Sequence, residues 1–354
     1  MSEEHKITAV KSMKSGRSLK ELALHLGLSP TTVSRVINSS GDTHRISAAT
    51  QKRVLAAAAE MNYRASPLAR GLRSRRSQTI GVMVPEISGG YSASVLSGIE
   101  DVLLLSGFFY FVVSHHHRAE LLRDYPALLL SRAVEGIIAV DSALDVELPV
   151  PIVAVSGHLR IPSILNIELD HTLAARYALE HLHGLGHRRI AFIQGQSFSS
   201  DTHVRWQSIV KVAAELGIVI NPNLIVALEG DDPTLEPGRV ATHKLLATGI
   251  SFTAIFAFND LSAMGAIVAL REAGLDVPAQ VSVVGFDDVM GASTNNPPLT
   301  TVRQPLQEMG RAAATALLQR IRDQRADHSP LQATNAILVL PTFVERKSTA
   351  PPPS

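Results

Sequence analysis

Between Ser18 and Asn62 apolar positions recur at helical spacing, and after Gln78 they contract into short runs separated by amphipathic stretches. In the first segment Leu19, Leu22, Ala23 and Leu26 fall on one face. Ser18 with Glu21 forms a capping box, and Gly27 supplies the tight turn that ends the helix. A second helix is predicted to open with Ser29 as N-cap and Pro30 at its first position, where a missing N–H costs nothing. Val33, Val36 and Ile37 face inward, leaving Thr31, Ser34, Arg35 and Asn38 outward. Ser39–Asp42 reads as a loop. Ser47 caps a third helix to about Asn62, with Val54, Ala58 and Met61 on its packing face. From residue 78 onward the pattern predicts strands at Ile80–Val84, Phe109–Val113, Gly136–Val140 and Ile152–Val155. After a helix over about 172–185, a second series follows at Arg189–Ile193, Ile225–Ala227, Ala254–Phe258 and Ser282–Gly285. Strands alternating with helices imply parallel sheets, and two such series imply two α/β lobes.

The expected organisation is therefore a flexible arm (1–17), a small all-α helix-turn-helix head (18–64), a hinge (65–77) and an α/β core (78–348). In open parallel sheets ligands lie beyond the carboxyl ends of strands. That rule selects the loops Pro85–Tyr91, Ser114–Arg118, Gln194–Arg205, Asn259-Asp260 and Phe286–Asp288 as the walls of an interlobe cleft.

Charge sharpens the picture. The 354 residues carry a net +1, but residues 1–76 hold 14 Lys/Arg against 5 Asp/Glu, a net +9, and the remainder stands at −8. A basic head on an acidic body fits a polyanion-binding module joined to one that binds something else. An ordinary αα-hairpin would explain the two helices, but not their coincidence with the charge. Short side chains on the second helix let it approach the major-groove floor, and Arg35 has the reach to bridge O6 and N7 of a guanine. The stretch Tyr63–Arg76 is basic and holds a helix start at Ser66-Pro67 that is short and weakened by Gly71. It suits either a segment that folds against DNA, with Leu72 as a minor-groove wedge, or a flexible linker. Cysteine is absent, which excludes disulfides and thiol chemistry. The N-terminus lacks an apolar signal core, and the most apolar run, Val102–Val113, is broken by Ser106-Gly107; both point to a cytoplasmic protein without a membrane span.

Six motifs in order resemble the lac repressor family of bacterial transcription regulators. They are LKELALHLGLSPTTVSRVIN (19–38), LARGLR (68–73), LGHRRIAFI (185–193), FNDLSAMGAI (258–267), VPAQVSVVGFDD (277–288) and PPLTTVRQP (297–305). The resemblance implies a homodimeric repressor of double-stranded operator DNA, with a core like periplasmic sugar-binding proteins whose chain crosses between lobes three times. It implies a first lobe of about 78–170 plus 302–332 and a second of about 171–299 plus 333–346. It also suggests Pro30, Thr31 and Arg35 as base readers, Thr32 and Ser34 as phosphate contacts, Asn38 beside them, and Leu68, Ala69 and Leu72 in the hinge. In the cleft, Arg205 and Asp260 match the family's ligand-binding pair, with Tyr91, Ser92, His115 and Phe286 around them. A helix N-cap role for Asp260 is compatible with that assignment.

The sequence also departs from the family. Ser88-Gly89-Gly90-Tyr91-Ser92 has one aromatic where two are usual, and Asp231-Asp232-Pro233-Thr234 stands where a second stacking ring is expected. The stretch Asp141–Pro151 leaves little room for the usual helix, and the hinge has Ala65 and Pro67 where a proline two positions earlier is commoner. No heptad tail follows Lys347, so a dimer without a tetramerisation helix is expected. With stacking platforms missing, a small and very polar effector is expected: a sugar acid, polyol or sugar phosphate. His115-His116-His117 invites a metal reading, but three consecutive residues rarely point at one ion. No P-loop, dinucleotide fingerprint or nucleophile elbow is present, and the adjacent Asp287 and Asp288 diverge if they sit at a strand end. Neither an enzyme nor a cofactor is expected.

Overall fold

The computed structural model describes residues 18–37, 46–63, 76–142, 144, 147–158, 160–326 and 336–353. The chain divides at Ser77/Gln78 into two compact units. The first contains α1 (Leu19–Leu26), α2 (Pro30–Ile37) and α3 (Ala48–Glu60). Both halves of the α1 capping box form: Ser18 N–H donates to Glu21 Oε2 at 2.7 Å, and Glu21 N–H donates to Ser18 Oγ at 3.3 Å. Gly27 ends α1 with φ 65°, a conformation that favours a residue without Cβ. Ser29 Oγ accepts from Thr32 N–H at 3.1 Å, and Ser47 caps α3 by accepting from Thr50 N–H. Leu22, Ala23, Val33, Val36, Val54, Ala57 and Ala58 make the core, with Leu19, Leu26, Ile37 and Met61 packed at its edge.

In the second unit most central strands are buried on both faces, which explains runs such as TIGVMV and SVVGFD. The first lobe begins with β1 (Thr79–Val84), α4 (Gly90–Leu105), β2 (Phe109–Ser114), α5 (Ala119–Ser131), β3 (Ile137–Val140), β4 (Ile152–Val155) and β5 (Ile164–Leu169). The second holds α6 (His171–Gly184), β6 (Ile190–Gln194), α7 (Ser200–Glu215), β7 (Ile225–Ala227), α8 (Glu236–Ala247), β8 (Ala254–Ala257), α9 (Asp260–Glu272), β9 (Ser282–Asp287), α10 (Met290–Thr294) and β10 (Thr300–Arg303). The chain then returns through α11 (Leu306–Arg325) and β11 (Ala336–Val339) and finishes with β12 (Thr342–Val344).

The first sheet has the order β11-β5-β4-β3-β1-β2 and is parallel throughout; the second, β12-β10-β9-β8-β6-β7, is parallel except for β12. In each sheet the strand order reverses once, between β1 and β3 and between β6 and β8, which sets a ligand crevice at those carboxyl ends. Gly98 of α4 and Gly310 of α11 let these two helices touch backbone to backbone: a Cβ at Gly98 would overlap the Gln307 carbonyl, and one at Gly310 the Val95 carbonyl.

Three crossings join the lobes, as expected, but their positions correct the expected boundaries. β10 pairs with β9, so the second crossing follows Arg303 and the return to the first lobe begins near 306 instead of 302. β11 pairs in parallel with β5, from Ala336↔Asn166 to Val339↔Leu169, so the expected second-lobe span 333–346 is split and 336–339 belongs to the first lobe. β12 lies antiparallel to β10, with Arg303 opposite Thr342. Between residues 141 and 151 no helix occurs among the described residues, in keeping with the short sequence there. The apolar run 102–113 turns at Gly107 with φ 72°, and no helix among the described residues is long and apolar enough to cross a membrane.

Truncating the centre of the small head is expected to unfold that unit alone. Leu22 is fully buried, and Leu22→Ala at such a site costs about 2–5 kcal/mol, comparable with the whole stability of a domain this small. Calorimetry of the full chain is expected to lose the transition of the head and keep that of residues 78–354; a head transition that survives unchanged contradicts the packing described.

Candidate functional site

In the head, the solvent face of α2 presents Pro30, Thr31 and Arg35, while Thr32 is half-buried with its hydroxyl 2.8 Å from Ser29 Oγ. Ser34 departs from expectation. It is 6 % exposed, because it lies about 60° round the helix from Ile37, on the shoulder of the packed arc, and is small enough to be covered. Asn38, Leu68, Ala69 and Leu72, the arm 1–17 and most of the hinge lie outside the described residues.

In the core, the carboxyl ends of β1, β2, β3, β6, β8 and β9 converge on a cleft of about 440 Å³ between the lobes. Four of the six expected residues line it: Tyr91, Ser92, Arg205 and Asp260. Tyr91 donates its hydroxyl to Ser156 Oγ at 3.0 Å, and Ser92 donates to Glu86 at 3.4 Å. Burial, with Asp201 and Asp141 nearby, raises the Tyr91 phenol well above its ordinary value, so it stays a neutral donor. Asp260 opens α9 but does not cap it; Asn259 is the cap, accepting from Ser262 N–H at 2.8 Å. Asp260 is 1 % exposed and accepts from Thr301 Oγ1 at 2.6 Å and from Val289 N–H at 2.8 Å. Burial and the neighbouring Asp287 push its carboxyl well above the usual range.

Arg205, 4 % exposed, is clamped between two rings, 3.7 Å from the centroid of Phe286 and 4.3 Å from that of Phe258. Its two terminal nitrogens donate to Asp201 Oδ2 at 2.8 Å and to the Phe258 carbonyl, and its Nε has no hydrogen-bond partner. Phe286 therefore supports Arg205 from behind and does not line the cleft. His115 is likewise displaced from its expected role. It is fully buried, with Nε2 2.8 Å from Ser142 Oγ and Nδ1 accepting from His117 N–H at 3.1 Å. Burial lowers it to about 4. The turn beside it gives His116 and His117 φ of 47° and 54°; the rings of His115 and His117 meet edge to face with centroids 5.4 Å apart, and the three histidines form no metal-ligand cluster among the described residues.

The residues that dominate the cleft are not all visible in the sequence. Asp201, one turn before Arg205 on α7, receives His158 Nε2 from the first lobe at 2.6 Å and has His171 Nε2 at 3.4 Å. Burial opposes its ionisation, but His171, His158 and Arg205 outweigh it and hold the carboxyl well below the usual range. Burial likewise opposes charge on His158, yet Asp201, Glu168 and Asp141 raise it, whereas burial lowers His171. Two imidazoles and one guanidinium thus surround the Asp201 carboxylate.

Further contacts span the lobes. Asp141 accepts from Ser200 N–H at 3.0 Å and Ser200 Oγ at 2.7 Å, and His117 stacks on Phe198 with centroids 3.9 Å apart. That pair supplies an aromatic platform at positions where motif comparison anticipated none. Asp287 and Asp288 diverge as expected, with φ of 107° and 58°, strained values for residues bearing a Cβ. Asp288 pairs with Arg303 at 2.7 Å and Arg346 at 2.6 Å, while Asp287 turns to the cleft and accepts from Gln304 Nε2 at 2.6 Å.

His158, His171 and Asp201 bring possible metal-ligand atoms within 4.8 Å of one another. An ion there would have to displace the His158–Asp201 bond and lie beside the Arg205 guanidinium, so these residues fit a salt-bridge cluster better than a metal site. The acids of the cleft bear on the expected ligand. Its lining includes Glu86, Asp141, Asp201, Asp231, Asp232, Asp260 and Asp287, against Arg205 and the rings of His116 and His117. A sugar acid or sugar phosphate would meet the ionised Asp201 and a wall of further carboxyls.

Two family models match the chain: "Bacterial regulatory proteins, lacI family" over residues 18–66, and "Periplasmic binding protein-like domain" over residues 179–349. The HTH-type transcriptional repressor PurR of Photobacterium profundum is 31% identical over 339 residues, covering 94% of this chain and 98% of that protein. Among solved structures, the lac repressor dimer bound to operator and the anti-inducer ONPF aligns with a TM-score of 0.84 at 30% identity, over 95% of this chain and 100% of that one. The transcriptional regulator CelR in complex with cellobiose aligns with a TM-score of 0.68 at 27% identity, over 94% and 99%.

Asp287 provides a test of the cleft's electrostatics. Burial raises its carboxyl to about 7, opposed by Arg205 and Gln304 and aided by Asp201 and Asp141. A carboxyl raised on folding loses stability as pH climbs from its unfolded value, about 3.9, to its folded one. Asp287→Asn keeps the acceptor for Gln304 and removes the titration. The variant is expected to match the parent near pH 4, to gain over it as pH rises to about 7, and to hold a plateau above that on the order of 4 kcal/mol at most. Thermal denaturation across that range checks it; a pH-independent difference contradicts the environment assigned to Asp287.

Proposed function

We propose, from the premise that the chain belongs to the lacI family of bacterial regulatory proteins, that it represses transcription as a homodimer on a near-palindromic operator. It is a DNA-binding regulator whose hold on DNA responds to a small molecule, and separate sets of residues serve the two tasks. The observation that carries this reading is the pairing, in one chain, of a helix that offers Pro30, Thr31 and Arg35 to solvent with a cleft whose opposite walls touch through His158–Asp201 and Asp141–Ser200. A ligand shifts an equilibrium by its differential affinity for two states. Contacts that exist when the lobes are together and part when they separate are what such a ligand can bias.

Dimerisation is supported by the edge strand β2 of the first lobe. Phe109 and Phe111 are 64% and 39% exposed there, with Leu104 and Leu105 also exposed at the end of α4. An uncovered apolar edge suits a second copy of the chain, and the lac repressor relative is a dimer on its operator. The relative that holds cellobiose supports a sugar-like effector. A protein that reads the chromosome works in the cytoplasm.

Arg35→Ala is expected to cost about 1–3 kcal/mol per contacted base and to flatten discrimination at that position. Gel-shift titration against operator and scrambled DNA measures this; an unchanged preference overturns the register given to α2. Asp260→Asn is expected to leave ligand-free operator binding near the parent's while weakening the effector by roughly 1.5–3 kcal/mol, about tenfold to a hundredfold. An effector response of parental strength in the variant removes Asp260 from the ligand's contacts.

A further inference from the structure

The cleft contains two kinds of buried carboxylate. Asp201 is paired with Arg205 and His158, and Asp288, just outside the cleft, with Arg303 and Arg346. Asp141, Asp260 and Asp287 line the same cleft and receive neutral donors instead: the Ser199 and Ser200 hydroxyls and the Ser200 N–H, the Thr301 hydroxyl and the Val289 N–H, and the Gln304 amide. No ion pair to these three occurs among the described residues, and no lysine lines the cleft. Arg205, the one guanidinium in its described lining, already pairs with Asp201 and donates to the Phe258 carbonyl, so its charge is matched within the protein.

Buried carboxylates without a countercharge are costly, and charge-assisted hydrogen bonds to a cation are the strongest way to offset that cost. A neutral polyol donates hydroxyl hydrogens to them but brings no charge. The stacked His117–Phe198 pair at the rim adds a π face that also favours a cation. Resting on the reading of this cleft as the effector site, we propose that the effector is an organic cation, an amine-bearing and hydroxyl-rich molecule whose ammonium group lies against Asp260 and Asp287 on the second-lobe wall and whose donors reach Asp141 on the first. The volume of about 440 Å³ suits a molecule of one or two rings. Such a ligand touches acids of both lobes at once, so its charge stabilises the closed arrangement more than the open one.

The test is calorimetric titration and thermal shift of the full chain against compounds supplied in matched charge states: D-glucosamine, D-glucose and D-glucuronate, the corresponding galactose set, and putrescine and agmatine as cations without a sugar ring. Magnesium chloride alone, at equal ionic strength, is a further arm. A hydroxylated amine is expected to bind at least about tenfold tighter than its neutral counterpart, with no shift from the acid. Asp287→Asn and Asp260→Asn are each expected to lower that affinity about tenfold or more while the variants remain folded. Because Asp141 and Asp287 titrate at about 6 and about 7, amine binding near pH 6.5 is expected to expel protons, seen as a dependence of the heat on buffer ionisation. The groups facing these two acids are Asp201, Asp260, Arg205, His158, Tyr91, Ser199, Ser200 and Gln304, of which His158 contributes oppositely by holding its own proton. A neutral sugar that binds as tightly as its amine overturns the cationic ligand and leaves the effector cleft standing. A shift produced equally by magnesium, or by putrescine without hydroxyls, overturns the amine-and-hydroxyl chemistry. Failure of every cation in the panel overturns the proposal itself.

Discussion

The Asp201 carboxylate is held between a guanidinium from its own helix and an imidazole from the opposite lobe, and most of the cleft takes its geometry from that arrangement. Arg205 reaches Asp201 because the two lie one turn apart on α7, and it stays in place because Phe258 and Phe286 sandwich its plane. His158 arrives from the loop after β4, so the bond to Asp201 exists when the lobes are together. Buried ion pairs add little net stability, because desolvation offsets their attraction, but removing one partner costs about 3–5 kcal/mol. The cluster therefore acts on arrangement more than on stability. It fixes one relation of the two walls and makes departures from it expensive.

Around that anchor the remaining acids are exposed to one another's fields. Asp141 feels Asp201, and Asp260 feels Asp287. The fold tolerates this because the sheets put all of them at strand ends, where backbone N–H groups and short hydroxyls can solvate a carboxylate without neutralising it. The strained backbone at Asp287 and Asp288 belongs to the same arrangement: it turns one acid into the cleft and its neighbour outward to two arginines.

Periodicity and motif order make the head and most central strands legible in the sequence alone. What they miss has physical reasons. β5 reads ILNIEL, with Asn166 and Glu168 inside it; both are buried, Glu168 holding Arg160 through two hydrogen bonds at 2.8 and 2.9 Å, so polarity disguises a central strand. β11 falls on the other side of the boundary that the family resemblance implies, because it pairs with β5 of the first lobe. In the site, Arg205 and Asp260 are found through family motifs, and Asp201 is within reach of the same reasoning through its i,i+4 spacing to Arg205. His158 and His171 carry no such local signal, since what makes them matter is an aspartate 43 residues away from one of them. Ser34 and His115 mislead for one reason: a polar side chain reads as outward-facing, where small size or a paired ring nitrogen lets it be enclosed.

The three crossings between lobes lie side by side. Leu169 is in register with Val339, and Arg303 with Thr342, so the third segment runs against each of the other two. A single connecting strand would leave one lobe free to twist, tilt and slide on the other. Three strands laid together behave as a flexure in a mechanical linkage: twisting them stretches the outer members, shearing them breaks the pairing at both sheet edges, and bending across their width does neither. The lobes are left with close to one degree of freedom. A molecule that binds the cleft better at one opening angle than at another can therefore act on the two lobes through a single coordinate, the opening angle.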